Sequence, residues 1–480
     1  MMANTTLSKH KTKIVATIGP ASDSPEMLER LIRAGMNIAR LNFSHGDFSD
    51  HASRITRIRA AEKTTGMRVA IMADLPGPKM RLGKIAAEPI QLLTGDRFIL
   101  TSDDIIGDRQ RVSMSFKQLG KVVKSGDRLF LNDGLVQLIV EKITDSDVHC
   151  KVAIGGELRS RKGLNLPGIK LGIDVFTDHD RSCLEFALQN GVDAISQSFV
   201  ETADDIINVR AAANGMGKQP FIIAKIERAD ALINIDEILK VTDGIMVARG
   251  DLGVEVPIHE MAILQKQLIY KSRMAGKPVI TATQMLESMT ENRLPTRAEA
   301  TDVANAIIDG TDCIMLSGES AMGKFPEEAV TMLADIANHT EAHRPPNNLK
   351  GFYEIGDDNK PIKAAEALST IVENALRTVS CVSVFIPTRT GKTARMISRF
   401  SPEVWIVALS QSKTVCQGLA FSYGVYPVHL NETPENWSDF ARDWINERQL
   451  KGSIAMLVAG PSSLDPKSNY RLEFLPVGKK

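Results

Sequence analysis

Eight short apolar runs, most of them ending in or leading to polar side chains, limit what this chain can fold into more than any other feature. Three come early: Lys13–Ile18, Met36–Phe43 and Arg68–Leu75. Segments of helical spacing lie between them, at Glu26–Arg33 and from about Phe48 to Lys63. Five more follow, at Val192–Phe199, Phe221–Glu227, Gly244–Ala248, Pro278–Thr283 and Cys313–Ser317. Helical spacing fits Asp178–Gln189, Asp204–Ala213, Ala229–Lys240, Ile258–Ala275, Arg297–Ile308 and Pro326–His343. Strands that are apolar throughout and alternate with helices predict a parallel sheet covered by helices. Three units plus five is the count of a TIM-type (β/α)8 barrel. A doubly wound open sheet is the competing α/β architecture, but no Gly-x-Gly-x-x-Gly turn follows the first strand.

The rhythm breaks between about Lys79 and Gly172. Short apolar runs there alternate with turn pairs such as Gly95-Asp96, Gly126-Asp127, Asn132-Asp133-Gly134 and Gly155-Gly156. That pattern predicts a small all-β domain inserted into the barrel as a lid. Arg344-Pro345-Pro346-Asn347-Asn348 reads as a linker. Strands near Cys381–Ile386, Val404–Ala408 and Ile454–Val458 predict a separate C-terminal α/β domain beyond it. The expected division is residues 1–78 and 173–345 for the barrel, 79–172 for the lid and 346–480 for the last domain.

Composition narrows the partners. Lys+Arg and Asp+Glu are both 58, so the net charge is zero and any anion site has to be built locally. This argues against nucleic acid and against a polybasic membrane patch. Five scattered cysteines without a CxxC pair point away from zinc and from a disulfide framework, and toward a reducing cytoplasm. The polar start MMANTTLSKHKTK has no apolar signal core, and no run approaches the roughly 20 apolar residues of a spanning helix.

Barrel enzymes work at the C-terminal ends of their strands, and those ends are polar here. Lys225 and Glu227 are two residues apart, so on a strand they share a side. Asp251 sits on the glycine turn after the next strand. A lysine beside two carboxylates at strand ends is costly unless it binds something, and a divalent metal with a phosphorylated anion is the natural cargo. Glu227 and Asp251 are hard ligands for Mg2+ or Mn2+. Arg40 offers a fork to a phosphoryl group, and Lys225 a point charge to a developing enolate or phosphoryl. Gly250 lets backbone amides reach a carboxylate, and Thr283 is a hydroxyl suited to a proton relay. Arg40, Asn42 and Ser44 alternate toward the mouth, with Asp74, Ser196, Ser198, Thr281, Ser317 and Glu319 at other strand ends. Plainer readings stay open. Lys225 and Glu227 make a structural ion pair, Asp251 caps a turn, Thr283 is an ordinary β-former, and His45 is a turn residue.

Together these segments resemble the pyruvate kinase family over nearly the whole chain. The matching stretches are Thr12–Ala21, Ala39–Gly46, Asp74–Arg81, Lys162–Pro167, Ala224–Glu227, Met246–Glu255, Thr281–Met289 and Pro295–Asp302. The resemblance implies a homotetramer with a mobile lid and a regulatory C-terminal domain. It implies phosphoryl transfer from phosphoenolpyruvate to ADP, giving pyruvate and ATP. Arg40 and Lys225 would contact the phosphoryl group, and Glu227 and Asp251 would hold Mg2+. Gly250, Asp251 and Thr283 would bind the organic acid. Arg81 and Lys162 would reach the nucleotide phosphates, with Asn42 and His45 nearby. Other barrel enzymes acting on phosphoenolpyruvate, or a non-catalytic metabolite sensor on this fold, are the rival readings.

Two further expectations follow. Asn42, Ser44 and Asp74 match the K+ ligands of potassium-dependent relatives, and Leu75 keeps a carbonyl for that site. Those relatives have Glu where this chain has Lys79, and Thr where it has Leu75. An ammonium at Lys79 would take the place of K+, so K+ is expected not to be required. In the last domain, Thr388-Arg389-Thr390-Gly391-Lys392-Thr393 ends like a P-loop, but Ile386 stands where its first glycine belongs. A strand, a Gly/Thr/Lys turn and a helix still make a phosphate cradle. In the family the matching turn binds a phosphorylated allosteric effector.

Overall fold

The computed structural model describes residues 7–344, 364–460 and 469–478. The expected linker lies outside them beyond Arg344.

Eight parallel strands close into a barrel: β1 (Lys13–Thr17), β2 (Met36–Asn42), β3 (Ala70–Asp74), β4 (Ala194–Gln197), β5 (Phe221–Ile226), β6 (Gly244–Ala248), β7 (Val279–Ala282) and β8 (Cys313–Leu316). Each pairs with its sequence neighbour, and β1 meets β8 with Lys13 opposite Cys313. Both faces of these strands are covered, which is why they read as unbroken apolar runs. One set of side chains, including Ile14, Ala39 and Ile195, packs under the helices. The alternate set, including Val15, Ile38, Met72, Ile223, Met246 and Met315, fills the barrel.

Local chemistry explains the helix ends. Pro25–Ala34 starts where Ser24 accepts the Met27 N–H and a proline occupies the first turn, and stops at Gly35, whose φ of 126° suits glycine. Asp178–Gln189 and Pro326–His343 lie where the spacing predicted them. The expected helix over 229–240 is instead two pieces, Ala229–Ile233 and Ile235–Val241. Asn234 sits at the break, its side-chain amide donating to the Glu201 carbonyl at 2.9 Å.

The inserted segment has its own core. Six strands run in the order Leu164–Asn165, Arg128–Leu131, Val136–Ile143, Asp147–Ile154, Arg97–Thr101 and Arg111–Ser113. Its entering and leaving chains hold each other: Leu164 N–H donates to the Met80 carbonyl and Leu82 N–H to the Lys162 carbonyl, both at 2.9 Å.

The last domain is a five-stranded sheet of β9 (Ser383–Pro387), β10 (Trp405–Ser410), β11 (Val425–His429), β12 (Ile454–Ala459) and β13 (Arg471–Pro476), in the order β11-β10-β9-β12-β13. The spacing did not predict β11 or β13. This domain closes the N-terminal end of the barrel. Phe421 stacks on Phe221 at 5.2 Å between ring centres and joins the barrel's inner core. Lys13 Nζ donates to the Val425 carbonyl at 2.8 Å, and Asp312 accepts the Tyr423 N–H at 2.8 Å. All five cysteines are buried and free. Among the described residues no helix is long and apolar enough to cross a membrane.

Candidate active site

The opposite end of the barrel gathers the charges. Arg40, near the end of β2, reaches β3: its Nε donates to Asp74 Oδ2 at 2.9 Å, and Nη2 to the same oxygen. Its Nη1 donates to Thr17 Oγ1 at 2.9 Å. Lys225 on β5 lies with Nζ 2.6 Å from Glu227 Oε1 and 3.3 Å from Asp74 Oδ1. It also donates to Ser198 Oγ at 2.7 Å, and Ser198 donates to the Leu75 carbonyl at 2.7 Å. The two-residue spacing of Lys225 and Glu227 thus puts both on one side, and the ion pair that a plain structural reading allowed is present. It is part of a larger cluster, because Asp74 joins Arg40 to Lys225.

Asp251 does not sit on a glycine turn. β6 runs directly into a short helix, Arg249–Glu255, and Gly250 and Asp251 occupy its first turn. The Gly250 N–H donates to Thr283 Oγ1 at 2.7 Å. Thr283 is no ordinary β-former: β7 ends at Ala282, and Thr283 has φ of 66°. Gln284 and Phe199 also have positive φ, at 52° and 58°. Such angles are costly for β-branched and aromatic residues and cluster where side chains are aimed for function. Phe199 spends its strain on Glu227, donating its N–H to Oε2 at 2.8 Å. Thr283 is held from behind by Arg249, whose Nη2 donates to its carbonyl at 2.7 Å and whose Nη1 pairs with Asp302 at 2.6 Å.

Electrostatics follow from this crowding. Burial by itself lowers the Lys225 ammonium, but the Asp74 and Glu227 carboxylates outweigh it and hold the pKa above the ordinary lysine value. Burial likewise raises Asp74, but the Lys225 and Arg40 cations bring it below the usual carboxylate range. Asp251 goes the other way, pushed up to about 7 by burial and by the neighbouring Glu227 charge. Two carboxylates that crowd each other beside an open mouth are the oxygen donors a divalent cation fits. Among the described residues no group of three or more His, Cys, Asp and Glu side chains forms a complete metal cage. A cation held by Glu227 and Asp251 therefore has to draw further oxygens from substrate and water.

Of the remaining predicted residues, Asn42, Ser44 and Lys79 lie nearest this centre. Asn42 Oδ1 accepts the Ser44 N–H at 3.1 Å. Lys79 does not point to solvent: its Nζ donates to Ser44 Oγ, and burial and the Lys225 charge push its pKa down to about 8. His45 lies on the turn after β2, where partial burial and the Lys79, Arg81 and Arg40 charges push its imidazole down. Arg81 pairs across the lid's neck with Gly163, next to Lys162. The turn Thr388–Thr393 lies apart, in the last domain. Gly391 has φ of 75° and opens the helix Lys392–Ser398. Its N–H donates to Thr388 Oγ1 at 3.0 Å, and the Lys392 N–H faces Thr390 Oγ1 at 3.4 Å.

Sequence reading missed Arg249, Phe199 and Arg228. Arg228 follows Glu227 and is 2% exposed. A lone arginine inside a motif resembles a surface residue, and only the fold reveals its burial. Among the residues read as supporting, Glu319 is fully buried and accepts the Ser317 and Leu286 N–H groups at 2.7 and 3.1 Å.

Comparison with known proteins bears on this arrangement. Residues 9–330 match the family model described as pyruvate kinase, barrel domain, and residues 366–463 the pyruvate kinase alpha/beta domain. The chain is 49% identical over 477 residues to a pyruvate kinase of Thermococcus litoralis, covering 98% of this chain and 97% of that one. It is 40% identical over 468 residues to a pyruvate kinase of Clostridium perfringens, covering 96% and 98%. The crystal structure of a pyruvate kinase from Cryptosporidium parvum superposes with a TM-score of 0.89 at 36% identity, covering 98% and 97%.

Proposed function

This chain belongs to the pyruvate kinase family, and from that premise we propose roles for the residues at its barrel mouth. The enzyme is a phosphotransferase of glycolysis that passes the phosphoryl group of phosphoenolpyruvate to ADP, giving pyruvate and ATP. The bond from phosphorus to the enol oxygen breaks and one from phosphorus to a terminal ADP oxygen forms. The enolate then takes a proton on its methylene carbon. Little covalent chemistry falls to the protein, whose work is positioning and charge.

Lys225 and Arg40 neutralise the phosphoryl group in flight, Lys225 as a point charge and Arg40 as a fork. The observation that carries this reading is that both cations converge on the single buried carboxylate Asp74. Asp74 pre-aims them before substrate arrives. Gly250, Asp251 and Thr283 seat the organic acid, and the proton reaches the enolate close to Thr283. Family members are metal-dependent; here Glu227 and Asp251 would hold Mg2+, with Mn2+ as the other suitable ion. Bound there, the ion would supply Lewis-acid stabilisation of charge on the phosphoryl oxygens. Arg81, Lys162, Asn42 and His45 meet the nucleotide. The shared positive field of Lys79, Arg81 and Arg40 at His45 supports an anion at that edge.

Lys79 makes K+ unnecessary. Its ammonium rests on Ser44 and close to Asp74, within the group Asn42, Ser44, Asp74 and Leu75 that matches a monovalent-cation site. The turn Thr388–Thr393 takes a phosphorylated effector. A homotetramer is supported by exposed apolar side chains such as Ile258, Ile263 and Leu294, and by the edge strand β13 with half-exposed Phe474. We assign the domains to residues 1–78 with 173–345, 79–172 and 346–480, and the enzyme to the cytoplasm.

Pyruvate formation from phosphoenolpyruvate and ADP, with Mg2+ and with or without K+, tests these roles. Equal rates in both are expected, and Lys79→Ala should restore a K+ requirement. Activity of the wild type only with K+ would sink the Lys79 assignment.

A further inference from the structure

Arg228 is buried where three elements beside the site meet. It follows Glu227 directly. Its Nη2 donates to the Ile169 carbonyl at 2.9 Å. Its Nη1 lies 3.3 Å from Glu255 Oε1, and its Nε 3.4 Å from Glu201 Oε1. Ile169 belongs to the chain leaving the lid, and its side chain packs against the lid's core. Glu255 ends the short helix that begins with Arg249, Gly250 and Asp251. The lid touches that same helix from the other side: a β-carbon on Gly134 would lie 3.6 Å from Val254 Cγ1.

A guanidinium so fully buried needs its donors met, or it destabilises the fold. Two of its contacts are hydrogen bonds, from Nη2 to the Ile169 carbonyl and, longer, from Nη1 to Glu255 Oε1. Arg228 Nε, Glu201 Oε1 and Glu255 Oε2 are buried without a hydrogen-bond partner. The guanidinium thus joins the Ile169 carbonyl to Glu255, while the Glu201 side stays slack. A rigid structural triad would close the Glu201 contact as well. A joint that changes with lid position would leave slack in one state and take it up in another.

We propose that Arg228 is a positioning residue that links the lid's exit strand to the helix carrying Gly250 and Asp251. Lid closure and alignment of the mouth then become one event. This rests on the reading above that Gly250 and Asp251 serve substrate and metal. Closing the lid pulls the Ile169 carbonyl, turns the guanidinium toward Glu255, and sets the first turn of Arg249–Glu255 for the organic acid. Glu201 steadies the third side from the loop after β4.

Two variants and one direct probe test this. Arg228→Lys keeps the charge but has a single donor point, too small to span Ile169, Glu255 and Glu201 together. Its kcat should fall about 30-fold, the size of loss that slight misplacement causes, while the unfolding midpoint stays close to wild type. Arg228→Met should lose more, together with stability. Hydrogen exchange supplies the readout that a merely structural role would not move. In the wild type, addition of Mg2+ and phosphoenolpyruvate should slow the amides of 168–172 and of 250–255 together. In Arg228→Lys the second set should slow without the first. If Arg228→Lys keeps kcat within twofold, or the two sets respond independently in the wild type, the proposal is overturned. If neither variant folds, the wild-type exchange alone decides. A wild type that makes no pyruvate would fail the underlying reading instead, and an active wild type with an indifferent Arg228→Lys would fail this proposal only.

Discussion

The two ends of the barrel both bury charge, and they treat it in opposite ways. At the N-terminal end, Lys13 spends its ammonium on the Val425 carbonyl and lies 5.0 Å from the Trp405 ring centre. Asp312 spends its oxygens on the Tyr423 and Val279 N–H groups, at 2.8 and 3.0 Å. A second domain seals that end, with Phe421 inside it. At the mouth, Arg40, Lys225, Asp74 and Glu227 answer mainly one another, beside a lid and a strained Thr283. Charges satisfied by fixed backbone groups hold a fold together. Charges satisfied by other charges, next to an opening, can be re-partnered by a ligand.

Breaking the mouth should therefore cost rate, and breaking the base should cost stability. The largest effect is expected for Glu227→Gln, which removes one partner of Lys225 and a carboxylate proposed above to hold the metal. Its kcat should fall about 10³-fold at saturating Mg2+, as steady-state pyruvate formation will read. Thr283→Ala frees the Gly250 amide and removes the hydroxyl proposed above to lie near the proton's path, and should cost about 10²-fold in kcat/KM. At the base, Asp312→Ala leaves two buried N–H groups unmet. It should cost about 2 kcal/mol in chemical denaturation and leave kcat within twofold.

The smallest effect is set by pH. Burial pushes Lys13 down to about 8 from 10.5, so folding penalises its charged form. In the unfolded chain the lysine holds its proton to higher pH. Between pH 7 and 9 the folded state sheds that charge while the unfolded state keeps it, and stability rises with pH. Relative to Lys13→Met, the wild type should gain about 1 kcal/mol across that interval. Parallel urea titrations at the two pH values will check the sign.

The same contrast governs what could be read in the sequence. The barrel strands were legible because a doubly covered strand writes its burial as an apolar run. Arg40, Lys225, Glu227 and Thr283 were legible because they end such runs. The base was not. β11 carries Pro427 and two half-buried tyrosine and histidine side chains, and β13 is an edge strand with exposed positions. Neither has a clean two-residue period. Docking of Lys13 and Asp312 on Val425 and Tyr423 joins residues more than a hundred positions apart, and no local pattern marks such a contact. The helix at Arg249–Glu255 was hidden by Gly250 and Gly253, which favour a turn in isolation and are carried into a helix by tertiary packing. The positive φ of Phe199 and Thr283 goes against local preference and shows only in the fold.

The most direct test is to compare Lys225→Met with Lys13→Met, two buried lysines at opposite ends of one barrel. Pyruvate formation and the thermal midpoint would be measured for both under the same Mg2+ and substrate conditions. Lys225→Met should lose kcat by about 10³-fold or more while remaining folded. Lys13→Met should keep kcat within a few-fold and shift its midpoint instead. A Lys225→Met enzyme that turns over at near the wild-type rate would contradict the account, because the charge cluster at the mouth would then be structural, like the one at the base.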